Sequence, residues 1–240
     1  MSAMLRGEAA PTPLAIGDIM LALGDSIAAG IGAPHASEGC MALLAARLRA
    51  LEPALRLLNL AMPGESSDSL IGEGGQLDRA EAVISAAAAA GERIGPVTLS
   101  VGGNDILEAA LHGDEVALRR LDVNLTVVLD RLGTALDAAG VDLAEVACVQ
   151  TVYNPFEALR HGRGPTADEL APRRAARGGF NRVIRALAVR SGVRLADVAG
   201  AFRGRAAELT WVCSGDIHPT ARGHGVIAGT YVEAGGWDLP

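Results

Sequence analysis

The sequence predicts an α/β protein: a three-layer, doubly wound sandwich around a central parallel sheet of five strands. Three observations carry this expectation. Short apolar runs of strand length alternate with longer segments whose apolar residues recur at helical spacing. The runs end abruptly on turn residues, as in Gly24-Asp25-Ser26 and Gly102-Gly103-Asn104. The 240-residue chain is 50% hydrophobic but only 3% aromatic, so one domain with a sizeable core of Ala, Val, Leu and Ile is expected.

Residues 1–16 read as a flexible arm in which Pro11 and Pro13 oppose regular structure, and 17–236 as one domain. The first strand is expected at Ile19–Leu23. A helix follows over Glu38–Leu51, with Met41, Leu43, Leu44, Leu48 and Leu51 at helical spacing. The second strand spans Leu55–Ala61 and runs into Met62-Pro63-Gly64-Glu65. A helix over Ser69–Ala90 is interrupted near Gly72–Gly75 and stopped by Gly91. The third strand, Val97–Val101, is closed by Gly102-Gly103-Asn104-Asp105. Helical spacing resumes over Ile106–His112 and Asp114–Ala139. The fourth strand is placed at Glu145–Val152 and the fifth at Val193–Asp197, with a helix over Arg173–Ser191 between them. Residues 154–172, rich in Gly, Pro and Arg, are long for a connection and suit a lid or rim. Trp211–Pro219 is a loop, and Thr220–Ala234 a final helix. Strands alternating with helices give helices on both faces of a parallel sheet, the flavodoxin-like form of the doubly wound sandwich.

Charge and cysteine usage narrow the function classes. All 21 basic residues are Arg, and the net charge of -7 argues against a nucleic-acid footprint. Cys40, Cys148 and Cys213 are widely spaced, with no C-x-x-C pair. They read as buried thiols rather than as a disulfide framework or zinc site. Met1–Gly17 lacks the apolar stretch of a signal peptide, and no run approaches a membrane span, so a cytoplasmic protein is expected. Gly30-x-Gly32 lacks the third glycine and the ribose-reading acid of a dinucleotide site. Neither metal nor cofactor is implied. Nothing in the sequence bears on oligomeric state.

In a doubly wound sheet, the carboxyl ends of neighbouring strands converge on one crevice. Ser26, Gly64 and Asn104 close the first three strands, and Asp216-Ile217-His218-Pro219 lies in the late loop. Ester hydrolysis needs such a set: a serine that attacks, a histidine that takes and returns its proton, and donors for the oxyanion. Each residue also has an ordinary reading. Ser26 and Asn104 suit helix caps, Gly64 suits a turn after Pro63, and an isolated histidine is usually structural. Asp25 and Asp105 read as braces of their turns. His224 reads as helix surface or packing, His35 as a solvated loop residue, and the arginines at 160, 163, 173, 174 and 177 as a solvated face.

Taken in order, these blocks resemble the SGNH, or GDSL-type, hydrolase family over about Ala22–Ala228: Gly24-Asp25-Ser26, Asn59–Glu65 around Gly64, Gly103-Asn104-Asp105, and Asp216-Ile217-His218-Pro219. Tyr153-Asn154-Pro155 and Phe180-Asn181 also resemble family members of bacterial lipase/esterase type. The resemblance implies a serine esterase or lipase acting on small-molecule esters through an acyl-enzyme. Ser26 would be the nucleophile and His218 the base. The Ser26 and Gly64 N–H groups and the Asn104 amide would form the oxyanion hole. An acyltransferase or carbohydrate-ester deacetylase on the same site is the alternative, with a catalytically silent binding module behind it. One position departs from the pattern. The family's acid stands three residues before the histidine, where this chain has Gly215, and the carboxylate is Asp216. Two readings follow: Asp216 supports His218 by another loop path, or the ring bonds a backbone carbonyl and Asp216 faces elsewhere.

Overall fold

The computed structural model describes residues 12–112, 114–156 and 167–239. The chain runs β1 (Ile19–Gly24), α1 (Ser26–Ala29), α2 (Cys40–Leu48), β2 (Arg56–Asn59), α3 (Ser67–Leu70), α4 (Gln76–Ala90), β3 (Ile94–Ser100), α5 (Gly103–His112), α6 (Asp114–Ala138), α7 (Leu143–Val146), β4 (Ala147–Gln150), α8 (Ala167–Ser191), β5 (Arg194–Ala196), α9 (Val198–Phe202), α10 (Ala206–Leu209) and α11 (Ala221–Gly235). The five strands pair in parallel in the order β2-β1-β3-β4-β5, as the doubly wound reading requires.

β1 shows why the layers form. Its six residues are all buried. Successive side chains point to opposite faces, and the two sets enter different cores. Ile19, Leu21 and Leu23 pack with Leu77 and Ile84 of α4, Leu125 of α6 and Ile184 of α8. Met20 and Ala22 pack with Met41 and Leu44 of α2 and Ile227 and Tyr231 of α11. Each Leu or Met so buried contributes about 1.5–3 kcal/mol over its exposed state, so helices on both faces are held by one strand.

The interruption expected near Gly72–Gly75 separates α3 from α4, and Gly91 ends α4 in the left-handed conformation with φ +70°. β2 and β5 are shorter than expected, and so is the interior strand β4, where residues 145 and 146 belong to α7 instead. Of the 154–172 connection, residues 157–166, including Arg160 and Arg163, lie outside the described residues. α8 begins at Ala167 rather than Arg173, so residues 167–172 belong to a helix, not to a rim. Most of the expected N-terminal arm also lies outside the described residues. Within its last part Leu14 is buried, its N–H donates to Gly235 O at 2.8 Å, and its carbonyl accepts from the Trp237 indole at 2.8 Å. Among the described residues no helix is long and apolar enough to cross a membrane.

Candidate active site

The strand order puts β1 beside β3, and each feeds a different side of the sheet, so their carboxyl ends open a crevice. Gly24 closes β1 with φ +144°, and a Cβ there would lie 2.1 Å from the Ser100 carbonyl oxygen of β3. Only glycine allows that approach. The next peptide, Asp25 N–H, donates to Ser100 O at 2.9 Å. The Asp25 carboxylate accepts from Ile27 N–H at 2.9 Å and so caps α1. The chain therefore turns at a fixed point and delivers Ser26, half-buried, as the first residue of a short helix. Burial is the main cause that pushes the Asp25 carboxyl up to about 7, against the pull of the Ile27 N–H and with the repulsion of Asp105.

The structure brings Ser26, His218 and Asp216 together. Ser26 Oγ lies 2.9 Å from His218 Nε2, and His218 Nδ1 lies 2.5 Å from Asp216 Oδ1. A carboxylate can only accept, so Nδ1 carries the ring proton and Nε2 presents its lone pair to the Ser26 hydroxyl. Partial burial raises the Asp216 carboxyl, but the bonds from His218 N–H and from the ring outweigh it and hold the group below its usual range. Of the two readings of Asp216, the contact matches the first. The two-residue spacing works because Asp216 Oδ1 also accepts His218 N–H at 3.1 Å, closing an Asx turn that swings the carboxylate under its own histidine ring.

Neighbouring elements hold this turn. Trp211 N–H donates to His218 O at 2.9 Å, and the Trp211 indole donates to Gly32 O at 2.9 Å. Gly32, at φ +96°, leaves no room for a side chain: a Cβ would lie 2.9 Å from His218 Cβ and 2.4 Å from Pro219 O.

Asn104 lies in the first turn of α5 rather than capping it, because the helix already begins at Gly103. Its amide donates to Glu65 O at 2.8 Å, and it lines the same cleft as Ser26. Gly64, one residue before Glu65, is exposed at φ +85°, and among the described residues nothing accepts from its N–H. Among the described residues no hydrogen bond joins Gly64 to Ser26. The two belong to one framework through Gln76, which sequence reasoning missed. Fully buried at the start of α4, Gln76 accepts from Gly24 N–H at 2.9 Å, donates to Gly24 O at 2.8 Å and donates to the Glu65 carboxylate. Thus one side chain joins the end of the Ser26 strand to the loop that carries Gly64 and meets Asn104. Asp105, read as a brace of its own turn, instead reaches the start of α3: it accepts from Ser67 N–H at 3.1 Å and from the Ser67 hydroxyl.

The remaining expectations divide. His224 is fully buried, with Nδ1 accepting from Cys40 N–H at 3.2 Å and Nε2 donating to Ile31 O at 3.0 Å. Burial is the main cause that lowers its pKa, so it packs rather than facing solvent. His35 is exposed. Cys40 and Cys148 are buried, and burial pushes both thiols up to about 12. Cys213 is exposed, against expectation, because it sits on the outward loop of 212–214 rather than on a core face. Among the described residues no cluster of His, Cys, Asp or Glu could hold a metal ion. The cleft beside Ser26 encloses a cavity of about 70 Å³, with Ile27, Ile106, Val152 and Ile217 among its walls.

A sequence model of the GDSL-like Lipase/Acylhydrolase family matches residues 22–226. No curated protein matches the sequence. Among solved structures, LAE5, an alpha/beta hydrolase enzyme from the metagenome of Lake Arreo, Spain, is similar with a TM-score of 0.63 and 26% identity, over 91% of this chain and 94% of its own. Axe2, an acetylxylan esterase from Geobacillus stearothermophilus, shares the fold with a TM-score of 0.66 and 19% identity, over 95% of this chain and 98% of its own. The family match runs from the strand that delivers Ser26 to the helix that follows His218, and the chain belongs to the GDSL-like lipase/acylhydrolase family and is a carboxylic ester hydrolase of that type.

Proposed function

We propose that this protein hydrolyses small carboxylic esters through an acyl-enzyme on Ser26, with His218 as general base and then general acid and Asp216 as the acid behind it. The observation that carries the reading is the run of contacts from Asp216 Oδ1 to His218 Nδ1, 2.5 Å, and from His218 Nε2 to Ser26 Oγ, 2.9 Å. In that geometry Nε2 takes the hydroxyl proton as Oγ attacks the ester carbonyl carbon. The imidazolium that forms is balanced by the ionised Asp216. The C–O bond to the alcohol then breaks as His218 returns the proton to the leaving oxygen. Water repeats the sequence on the acyl-enzyme and releases the acid.

The negative oxygen of the tetrahedral intermediate needs donors that are already in place. The N–H groups of Ser26 and Gly64 and the Asn104 amide are the ones proposed. The Asn104 amide is held by Glu65 O, which leaves its second N–H to give. The cavity of about 70 Å³ beside Ser26 is lined by Ile27, Ile106, Val152 and Ile217 together with the polar Ser100, Asn104 and Gln150, and its small volume suits a short acyl chain.

The test is a series of p-nitrophenyl esters of increasing acyl length, run on the native protein and on Ser26→Ala, with an added alcohol to reveal transfer to an acceptor other than water. The expected result is a preference for short chains and a loss of about 10³-fold or more in Ser26→Ala. Activity that survives Ser26→Ala overturns the assignment. Diversion of most acyl groups to the alcohol would make the protein an acyltransferase on the same serine.

A further inference from the structure

Ile217 is the single residue between Asp216 and His218, and its carbonyl accepts a hydrogen bond from the Tyr153 hydroxyl at 2.9 Å. Tyr153 is only 5% exposed, and its ring stacks on Phe202 at the end of α9, with centroids 4.5 Å apart. The adjoining residue is equally fixed: Asn181 of α8 accepts from Val152 N–H at 2.8 Å and donates to Val152 O at 2.9 Å. The position of the tyrosine is thus set by β4, α8 and α9 before its hydroxyl reaches the turn.

The turn itself depends on such an anchor. The Asp216 side chain is 48% exposed, and one of its oxygens serves both the N–H and the ring of the same histidine. Acid and base therefore share one short turn, with no separate element to hold the acid. A rotation of the Ile217 peptide would carry both groups away from Ser26 together. Trp211, which binds the turn from the other flank through His218 O and Asp216 N–H, is itself 42% exposed.

We infer that Tyr153 is a positioning residue: by fixing the Ile217 carbonyl, its hydroxyl holds the Asp216–His218 turn in the register where Nε2 meets Ser26 Oγ. The inference rests on the reading of Ser26 and His218 as nucleophile and base.

Tyr153→Phe tests it, because the ring and its stack remain and one hydroxyl is lost. On a short p-nitrophenyl ester, kcat is expected to fall about tenfold with KM nearly unchanged, since small misplacement of a catalytic group costs rate rather than binding. Inactivation of Ser26 by a fluorophosphonate slows by a similar factor. On a His218→Ala background, adding Tyr153→Phe costs under about threefold, because the hydroxyl acts through the histidine that is then absent. Native kcat in Tyr153→Phe overturns the inference. So does a tenfold loss that persists on the His218→Ala background. A change confined to KM also overturns it, because Tyr153 lines the cleft and would then be a substrate contact. Thermal melts report whether the variant is folded. Phe202→Leu, which loosens the stack and keeps the hydroxyl, is a second variant expected to lower kcat in the same sense, and native kcat there counts against the inference. Failure of the underlying reading looks different: the native protein would then not be labelled at Ser26.

Discussion

Replacing Asp216 with Asn removes the charge behind His218 while keeping the shape of the turn. The amide oxygen can still accept His218 N–H, as the carboxylate does at 3.1 Å. The cost then has two parts. The first is the attraction between the carboxylate and the imidazolium that forms during attack. Two unit charges 4 Å apart interact by about 4 kcal/mol at an effective dielectric of 20 and about 1 kcal/mol in water. The Asp216 side chain is 48% exposed, so the lower part of that range, about 1–2 kcal/mol, applies. The second part is the tautomer. The carboxylate at 2.5 Å keeps the proton on Nδ1, whereas an amide can offer an N–H and leave the proton on Nε2, where Ser26 needs an acceptor. In a buried triad this substitution costs about 10⁴ in kcat. With the smaller charge part of an exposed acid, the expected loss here is about 10²–10³-fold in kcat, or about 3–4 kcal/mol, with KM little changed. Steady-state hydrolysis of a short p-nitrophenyl ester at neutral to mildly basic pH measures it. Turnover within about threefold of native would refute the argument, because His218 would then work on main-chain support alone.

Two further expectations follow from the same geometry. Asp25→Asn changes the pH dependence of stability. The native Asp25 carboxyl stands at about 7 against an ordinary value of 3.8, so between those values the folded state keeps a proton that the unfolded state has lost. Stability relative to Asp25→Asn therefore falls as pH rises through that window, by on the order of 4 kcal/mol in total, and levels off above it. Urea denaturation of both proteins at acidic, neutral and basic pH reads this, and a difference that does not vary with pH contradicts it. Asn104→Ala removes a proposed oxyanion donor and is expected to lower kcat by about 10²–10³-fold with a small change in KM. Near-native turnover would take Asn104 out of the oxyanion hole and leave it as a brace of the Glu65 loop.

The legible parts of the fold were those with a period. The β1 run ending at Gly24 and the apolar spacing of Leu121, Leu125, Val128 and Leu132 in α6 signal strand and helix without tertiary help. The four- and five-residue helices α7, α9 and α10 went unread because one turn is too short to show a repeat. At the site, the residues that could be read were those at strand ends, where position in a doubly wound sheet predicts convergence, and the Asp216–His218 block of the late loop, which the family resemblance marked. Gln76 could not be read: its partner Gly24 is 52 residues away, and a glutamine after a glycine-rich break has no pattern that marks burial. For Asp216 the sequence left two paths open, because spacing alone does not say which way a carboxylate turns. The Asx turn to His218 N–H supplies the missing physical fact. Tyr153 was singled out by resemblance, yet its bond to Ile217 spans 64 residues and has no local trace.

The central claim is that Ser26 is the nucleophile and His218 activates it. The most direct measurement is reaction with a fluorophosphonate, followed by mass mapping of the adduct and comparison of labelling rates. One adduct is expected, on Ser26, absent in Ser26→Ala and formed about 10³-fold or more slowly in His218→Ala. An adduct on another residue, or labelling of Ser26 at an unchanged rate in His218→Ala, would contradict it.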